Sequence, residues 1–257
     1  MSDGVIYVAT GADYVDLACQ SLASLRQSNP GLAADIFTDN PARAGVGSFD
    51  RVHTVPKVHP RVRLDCLPLS RFDRTLFLDA DTLVVGDLGD LFAVADRFDL
   101  AMAHDVRRAS DLIREGLEEV TPYAFPQLNA GVILYRRGDA TSAFFAEWSR
   151  RYAASGVARD QVILKDLLWS SAIRFYVLPP EFNLRRLPMI DAWEPLDAHV
   201  TIIHSHRLMD HMTGRGPRLS TPGDLIAAER SALQSEWRDV GADAPADRLA
   251  WFTRAGR

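Results

Sequence analysis

The sequence predicts an α/β protein with a mostly parallel central sheet and helices on both faces. Short apolar segments alternate with segments whose apolar residues recur at helical spacing. The segment 74–79 contains the apolar run Leu76-Phe77-Leu78, as expected of a buried strand. Strands that alternate with helices pair in parallel, because each helix returns the chain to the same end of the sheet.

The first part of the chain contains four predicted strands and two predicted helices. The strands are residues 5–9, 34–38, 51–55 and 74–79, and the helices are residues 14–28 and 62–69. In the first helix the apolar residues lie at helical spacing, and Asn29-Pro30-Gly31 ends it. Ligands of such sheets bind beyond the carboxyl ends of the strands, so we expect the site at that edge.

The rest of the chain is less regular. The predicted strands are residues 100–103, 130–135, 173–178 and 200–204, and the predicted helices are residues 140–153, 160–169 and 224–237. A polar loop from Asp105 to Gln127 is long enough to be a functional lid or a partner surface. We predict a main domain of residues 1–222 and a C-terminal helical appendage of residues 223–257 packed on it.

Length and composition indicate one large globular α/β domain with a short appendage. The chain has 257 residues and a net charge of −5, which argues against a nucleic-acid binder because such proteins need a basic face. The two cysteines, Cys19 and Cys66, lie in apolar helical patterns and are predicted to be core thiols of a reduced protein. With no long apolar span and no signal-peptide layout, a soluble, cytoplasmic protein is expected.

Two carboxylates lie at the end of the predicted strand 74–79. Asp79 and Asp81 are two residues apart, so in extended backbone their side chains lie on the same face. Two carboxylates that converge repel each other unless a cation lies between them, and Mg²⁺ or Mn²⁺ bridging phosphate oxygens suits that position. The alternative is a pair of solvated surface aspartates. We favour a metal–nucleotide site.

Several further motifs resemble those of one enzyme family. They occur in the family's order: the first strand and turn with Tyr14, Leu78-Asp79-Ala80-Asp81, Leu128-Asn129-Ala130-Gly131-Val132, Asp160-Gln161, Pro180-Glu181-Phe182-Asn183 and Ile202-Ile203-His204. Over residues 5–204 the chain resembles retaining glycosyltransferases of the Rossmann-like GT-A fold, specifically family 8. That family includes glycogenin and bacterial lipopolysaccharide galactosyl- and glucosyltransferases.

The resemblance implies a metal site and a donor site. Asp79, Asp81 and His204 would be the metal ligands, with His206 as the reserve candidate, and this mixed ligand set favours Mn²⁺ somewhat over Mg²⁺. Ala9, Thr10 and Tyr14 match the turn that receives the nucleotide base, and Arg63 matches a basic residue directed at the donor. The family's Lys-Pro-Trp element is missing, so Arg215 or Arg218 would replace its lysine unless that segment is only a solvated basic loop.

The resemblance also implies catalytic and acceptor residues. Asp105 matches a residue near the acceptor hydroxyl, and the amide of Asn129 could bind sugar hydroxyls. Asp160 would bind hydroxyls of the donor sugar, although an aspartate at the start of a helix is most often an N-cap. Gln161 would face the β-side of the sugar.

The function implied is metal-dependent transfer of a hexose from a nucleotide-diphosphate sugar, with UDP-sugar favoured, to a hydroxyl acceptor with retention. A front-face mechanism is favoured because Gln161 is a poor nucleophile. One alternative is a sugar nucleotidyltransferase, but Thr10-Gly11-Ala12-Asp13 lacks the expected Gly-rich phosphate loop. Another is a non-catalytic nucleotide-sugar-binding protein.

The acceptor is left open among a glycan, a lipid-linked glycan and a small metabolite. Residues 106–127 and the tail beyond Asp224 are expected to shape its site. The tail carries aromatic and basic residues, but its mixed charge favours a core-packing helix over peripheral membrane contact. These residues are Trp237, Trp251, Phe252 and Arg254.

Overall fold

A computed structural model describes residues 1–55, 57–107, 117–118, 120–125, 127–242 and 244–253, without the side chains of Val46 and Pro245. The predicted loop from Asp105 to Gln127 therefore lies partly outside the described residues, as does Arg254. The chain forms two compact units. The first comprises Met1–Arg185 and His199–Ser205, and the second comprises Arg186–Ala198 and His206–Arg257. The domain boundary at residues 222 and 223 stays a prediction.

The first unit is built on a mostly parallel sheet, which confirms the predicted fold class. Its strands are β1 (Asp3–Ala9), β2 (Ala33–Thr38), β3 (Arg51–Thr54), β4 (Arg74–Leu78), β6 (Leu100–Ala103), β7 (Val132–Arg136) and β8 (Phe175–Leu178). Among the described residues these seven strands have the order β3-β2-β1-β4-β7-β6-β8. Only β7 runs antiparallel to its neighbours.

A second, two-stranded sheet was not predicted. Strand β5 (Thr82–Val84) pairs antiparallel with β9 (Ile202–His204), and the register sets Thr82 opposite His204. A strand of three residues is too short to show periodicity in the sequence, so β5 is recognised only from its pairing with β9 in the folded chain. This ribbon brings the segment after β4 together with a strand more than a hundred residues later.

The described residues form helices between the strands, as predicted, and several of these helices are shorter than expected. In the first unit they are α1 (Ala12–Ser28), α2 (Pro41–Ala44), α3 (Arg63–Cys66), α4 (Gly89–Ala93), α5 (Asp139–Ser155) and α6 (Asp160–Ser170). The predicted helix 62–69 is α3 followed by a 3-10 turn over Leu67–Leu69, where Pro68 removes a backbone donor. The core includes Phe77, Ile133 and Trp148, all fully buried.

Both cysteines are free, and Cys66 is buried in the core. Burial raises the pKa of the Cys66 thiol to about 12, with a smaller contribution from the nearby Asp65 carboxylate. The thiol is therefore protonated and unreactive at neutral pH, because the thiolate is the nucleophilic form.

The second unit is helical. It contains 3-10 segments over Leu187–Ala192 and His206–Thr213, then α7 (Pro222–Asp239) and α8 (Pro245–Thr253). Helices α7 and α8 contact each other through aromatic packing. The ring centroid of Trp237 lies 6.5 Å from that of Trp251 and 5.5 Å from that of Phe252. In the part of the chain that the structure describes, every helix is too short or too polar to cross a membrane.

Candidate functional site

Two carboxylates and an imidazole meet at the carboxyl end of β4. Asp79 and Asp81 lie in the turn between β4 and β5, and His204 ends β9, which pairs with β5. The Nε2 atom of His204 lies 3.3 Å from Asp81 Oδ1 and 3.9 Å from Asp79 Oδ2. One ligand atom from each residue lies within 4.8 Å of the others, so the three side chains can hold a metal ion.

The turn is held by backbone hydrogen bonds to both of its neighbours. The Asp79 N–H donates to the Gly131 carbonyl at 2.7 Å, and the Ser205 N–H donates to the Asp81 carbonyl at 3.1 Å. Thr82 Oγ1 donates to the Asp79 carbonyl at 2.8 Å. The backbone that carries the two carboxylates is therefore held in place before any ligand arrives, which is the preorganisation that a binding site needs.

The two carboxylates differ in their tendency to ionise. Burial raises the pKa of Asp79; Arg63 opposes this rise and the nearby Asp81 carboxylate adds to it. For Asp81, burial is again the largest single effect and acts in the same direction, but His204, Arg185 and a backbone hydrogen bond together outweigh it, and the pKa lies well below its usual range. A cation at this point would favour the ionised form of both groups.

Asn183 orients the imidazole of His204. The Oδ1 atom of Asn183 lies 2.9 Å from His204 Nδ1, and its Nδ2 donates to Asn129 Oδ1 at 3.0 Å. Because the amide oxygen can only accept, it favours a proton on Nδ1, so that in the neutral ring the Nε2 lone pair is available to a cation beside the carboxylates. The sequence showed Asn183 only as part of a motif and indicated no role for it.

Substitution of Asn183 by alanine is expected to weaken Mn²⁺ binding by about 10- to 100-fold, the usual effect of losing a partner of a metal-bound histidine. The protein should stay folded, since Asn129 Oδ1 still accepts from the Gly131 N–H at 3.0 Å. Electron paramagnetic resonance of free Mn²⁺ measures the affinity. Replacement of Asn40, which caps α2, is the control; equal affinities for wild type and Asn183→Ala would contradict the role.

Gly131 leaves room for the metal ligands. A Cβ atom at this position would lie 2.0 Å from His204 Cε1 and 2.8 Å from Asp79 Oδ2. The small pair Ala130-Gly131 was expected to permit close approach of a ligand. In the structure the missing side chain of Gly131 permits close approach of the protein's own His204 and Asp79.

Arg63 bridges Asp79 and Asp160. Its Nη1 lies 3.2 Å from Asp79 Oδ1, and its Nη2 lies 2.7 Å from Asp160 Oδ2. Asp160 is the first residue of α6, and α6 has no side-chain N-cap, so its carboxylate serves Arg63 and not the helix end. Arg63 therefore neutralises two carboxylates of the site.

Gln161 joins a second polar group. Its Nε2 donates to Asp105 Oδ2 at 2.7 Å and to Gln127 Oε1 at 2.8 Å, while its Oε1 accepts from the Ala130 N–H at 3.1 Å. Asn129 Nδ2 also donates to Asp105 Oδ2, at 3.1 Å. Through Asn129 and Asn183 this group is continuous with His204. The sequence did not indicate a role for Gln127, because its hydrogen-bond partner, Gln161, lies 34 residues away along the chain.

Asp105 stays ionised despite partial burial. Burial opposes ionisation, but hydrogen bonds from the Arg107 N–H, Gln161 and Asn129, with the charge of Arg185, lower the pKa of Asp105 below its ordinary value. A depressed folded-state pKa contributes stability above the unfolded value of 3.8, and this contribution is lost as the pH falls through the folded pKa.

We expect Asp105→Asn to be less stable than wild type at neutral pH, because its amide would present a donor to the Gln161 and Asn129 donors. The difference in unfolding free energy should shrink as the pH falls below 3.8 towards the lower folded pKa of Asp105. Urea denaturation of both proteins at several pH values measures it. Asp139→Asn, at the exposed start of α5, is the control; a pH-independent difference would argue against the ionised Asp105.

Asp166 anchors part of the long loop between β6 and β7 on α6. Its Oδ2 accepts the N–H groups of Leu117 at 2.8 Å and Glu118 at 2.7 Å, and its side chain is fully buried. Arg151 Nη1 adds an ion pair to Glu118 Oε2 at 2.8 Å. The loop that was expected to shape the acceptor site is thus tied to the helix that begins with Asp160 and Gln161.

Replacement of Asp166 by alanine should release these two amides. We expect faster hydrogen exchange at Leu117 and Glu118 and a loss of about 1–3 kcal/mol in unfolding free energy, since two amide donors lose a charged acceptor. Exchange mass spectrometry measures the first and urea denaturation the second. Asp166→Asn keeps one acceptor oxygen and should be intermediate. Unchanged exchange in Asp166→Ala would show that the anchor is elsewhere.

The turn after β1 lies at the same edge of the sheet as the acidic turn. β1 and β4 are adjacent, with Tyr7 paired to Leu78, so residues 9–10 follow β1 where Asp79 follows β4. Gly11, at φ 82°, donates its N–H to Asp39 Oδ1 at 2.9 Å, which joins the ends of β1 and β2. Ala9 is buried, whereas Tyr14 is 45% exposed and therefore does not lie in the core.

Three predicted residues belong to the second unit: Arg215, Arg218 and His206. Arg215 is largely exposed, and its Nε lies 2.8 Å from Thr213 Oγ1 and 3.5 Å from Asp210 Oδ1. The structure therefore brings together Asp79, Asp81 and His204, with Arg63 and Asp160, and joins them through Asn183 to Asn129, Asp105 and Gln161. The suggested replacement of the missing lysine by Arg215 stays a prediction.

Comparison with known proteins rests on structure, because no family model and no curated protein matches the sequence. The glycosyltransferase GlyE of Streptococcus pneumoniae TIGR4 is 17% identical, with a TM-score of 0.58 over 95% of this chain and 66% of that chain. The galactosyltransferase LgtC, in complex with donor and acceptor sugar analogues, is 18% identical, with a TM-score of 0.57 over 92% and 99%. Mouse xyloside xylosyltransferase 1 is 14% identical, with a TM-score of 0.54 over 80% and 98%.

The chain has the GT-A fold. This conclusion follows from the mostly parallel seven-stranded sheet of the described residues together with the likeness to glycosyltransferase structures. The chain spans just under two thirds of the length of GlyE and nearly all of LgtC. At these identities the likeness concerns the fold, and activity has to be argued from the site.

Proposed function

We propose that the protein is a metal-dependent retaining glycosyltransferase that moves a hexose from a nucleotide-diphosphate sugar, with UDP-sugar favoured, to a hydroxyl acceptor. The observation that supports this most strongly is the continuity of the site. A group that can hold a cation, Asp79, Asp81 and His204, is hydrogen-bonded through Asn183 and Asn129 to Asp105 and Gln161. A metal–phosphate site and a site for sugar hydroxyls would thus lie side by side.

The residues present fit a divalent cation. The His204 Nδ1 atom is engaged by Asn183, its Nε2 lies towards Asp81, and both carboxylates are fixed by the backbone. Bound there, Mn²⁺ or Mg²⁺ would offset the negative charge that develops on the diphosphate as the sugar leaves. The imidazole favours Mn²⁺ over Mg²⁺.

The donor would lie across residues that the fold gathers at the carboxyl edge of the sheet. The backbone of Ala9 and Thr10 would bind the base and the exposed Tyr14 ring would stack on it. Arg63 and Asp160, already paired at 2.7 Å, would bind the donor sugar and its phosphates. Asp79 would serve both as a ligand of the cation and as a contact of the donor.

The acceptor would lie near Asp105 and Asn129. Gln161 Oε1 uses one lone pair for the Ala130 N–H, and its second lone pair can face an oxocarbenium-like carbon. Because an amide is a poor nucleophile, we favour front-face transfer, in which the departing phosphate oxygen takes the proton of the acceptor hydroxyl. Residues 106–127 and the tail beyond Asp224 would select the acceptor. A cytoplasmic location stays a prediction.

The test is hydrolysis of a panel of UDP- and GDP-sugars by the purified protein, with Mn²⁺ or with EDTA. Metal-dependent release of UDP from one UDP-sugar is the expected result and identifies the donor. Release that EDTA does not reduce would contradict the metal site. Binding of a UDP-sugar without any release, even with a broad set of hydroxyl acceptors, would favour the non-catalytic alternative.

A further inference from the structure

Arg185 lies beside the candidate metal site but was not among the predicted site residues. The segment around Leu184 runs parallel to β9: the Leu184 N–H donates to the Ile202 carbonyl at 2.8 Å, and the His204 N–H donates to the Leu184 carbonyl at 3.1 Å. Leu184 forms a single parallel bridge with Ile203, and its two neighbours both contact His204: Asn183 reaches the ring Nδ1 at 2.9 Å, and Arg185 reaches the backbone carbonyl at 3.4 Å.

The guanidinium of Arg185 has no counterion within its part of the structure. Among the described residues, the ion pairs within 4.0 Å do not include Arg185, and its Nε is buried without a hydrogen-bond partner. The guanidinium makes one weak contact, from Nη1 to the His204 carbonyl at 3.4 Å. Arg63, in contrast, is paired with two carboxylates. A partly buried cation with donors to spare is suited to bind an anionic ligand.

The position of Arg185 relates it to both groups of the site. Its Nη1 contacts the carbonyl of His204, a candidate metal ligand. Its charge also helps to lower the pKa of Asp105, after burial, which acts the other way, and after the hydrogen bonds from the Arg107 N–H, Gln161 and Asn129. That is the region where the phosphates of a donor would meet a cation held by Asp81 and His204.

We propose that Arg185 binds the diphosphate of the nucleotide-sugar donor and supplies the positive charge that the missing Lys-Pro-Trp element would otherwise provide. This inference rests on the proposed glycosyltransferase function and extends it to a residue of the first unit. The planar fork of arginine binds phosphate oxygens in pairs, and its charge would stabilise the diphosphate as it departs. Arg185 is thus a second cationic contact beside the metal.

The experiment compares the binding of UDP with the binding of Mn²⁺ alone. Titration calorimetry with UDP in saturating Mn²⁺ is carried out on wild type, Arg185→Met and Arg185→Lys, and electron paramagnetic resonance gives the Mn²⁺ affinity without nucleotide. We expect Arg185→Met to bind UDP about 10- to 100-fold more weakly, the range for losing a charge-assisted hydrogen bond. Its Mn²⁺ affinity should stay within about twofold of wild type, and Arg185→Lys should keep part of the UDP affinity.

A matched control removes a positive charge elsewhere. Arg150 is 67% exposed and pairs with Glu147 on the surface of α5, so Arg150→Met should bind UDP as wild type does. The proposal for Arg185 would be overturned if Arg185→Met kept the wild-type UDP affinity. It would also be overturned if this variant lost Mn²⁺ affinity and UDP affinity equally, because Arg185 would then only position His204. Wild type that bound no UDP with Mn²⁺ would instead overturn the proposed donor and function.

Discussion

Replacement of Asp81 by asparagine is expected to abolish divalent-cation binding and metal-dependent release of UDP. The substitution keeps the shape of the side chain but removes the charge that faces His204 Nε2 at 3.3 Å. Asp81 is 7% exposed, so water cannot easily replace the lost ligand. Losing an outer partner of a metal ligand costs about 10- to 100-fold in affinity, and losing the ligand itself should cost more.

Two measurements separate binding from chemistry in this variant. Electron paramagnetic resonance gives the Mn²⁺ affinity, and the donor panel gives the rate of UDP release at saturating Mn²⁺. Asp90→Asn is the control, because Asp90 is an exposed carboxylate in the first turn of α4. Asp81→Asn that retained wild-type Mn²⁺ affinity would show that the cation site does not include Asp81, whatever its activity.

Gly131→Ala should damage both stability and the metal site. The added Cβ would overlap His204 Cε1 at 2.0 Å, so the ring or the β7 backbone has to move. Forcing extra volume into a packed site costs about 1–3 kcal/mol. Because the displaced atoms belong to His204 and Asp79, we expect weaker Mn²⁺ binding in addition to a lower unfolding free energy. Urea denaturation with and without Mn²⁺ measures both effects.

A second glycine provides the matched comparison. Gly31 has no heavy atom within 4 Å of a built Cβ and does not have a positive φ, so Gly31→Ala should be neutral or slightly stabilising, by about 0.4–1 kcal/mol. Mn²⁺ should stabilise Gly31→Ala as much as wild type and Gly131→Ala much less. Equal stabilisation of all three proteins would show that His204 is not a ligand of the cation.

The elements of the central sheet could be predicted because their signals are local. Strands 5–9, 34–38 and 74–79 each contain a short run of apolar residues, and their order with the intervening helices predicts parallel pairing. The short elements could not be predicted. Strand β5 has three residues and is stable only through its partner β9, and α2 and α4 are single turns that depend on tertiary packing.

The candidate site divides in the same way. Asp79 and Asp81 could be predicted as site residues from the sequence, because two carboxylates at the end of an apolar strand are unusual for a surface turn. Gln127, Asn183 and Arg185 carry no such signal, since polar residues in irregular segments are common. Their proposed roles depend on contacts with residues far along the chain. Asn183 contacts the ring of His204, 21 residues later, and Arg185 contacts the backbone carbonyl of His204.

The sequence by itself determined the α/β class, the parallel half of the sheet and the acidic turn after β4, because these follow from hydrophobic periodicity and side-chain chemistry within a few residues. The tertiary structure decided which groups meet there. The pairing of β5 with β9 places His204 beside Asp81. Because Gly131 has no side chain, there is room for the Asp79 carboxylate and the His204 imidazole, and Asn183 orients the imidazole. Such contacts join residues distant in sequence, and only the folded backbone specifies their distances.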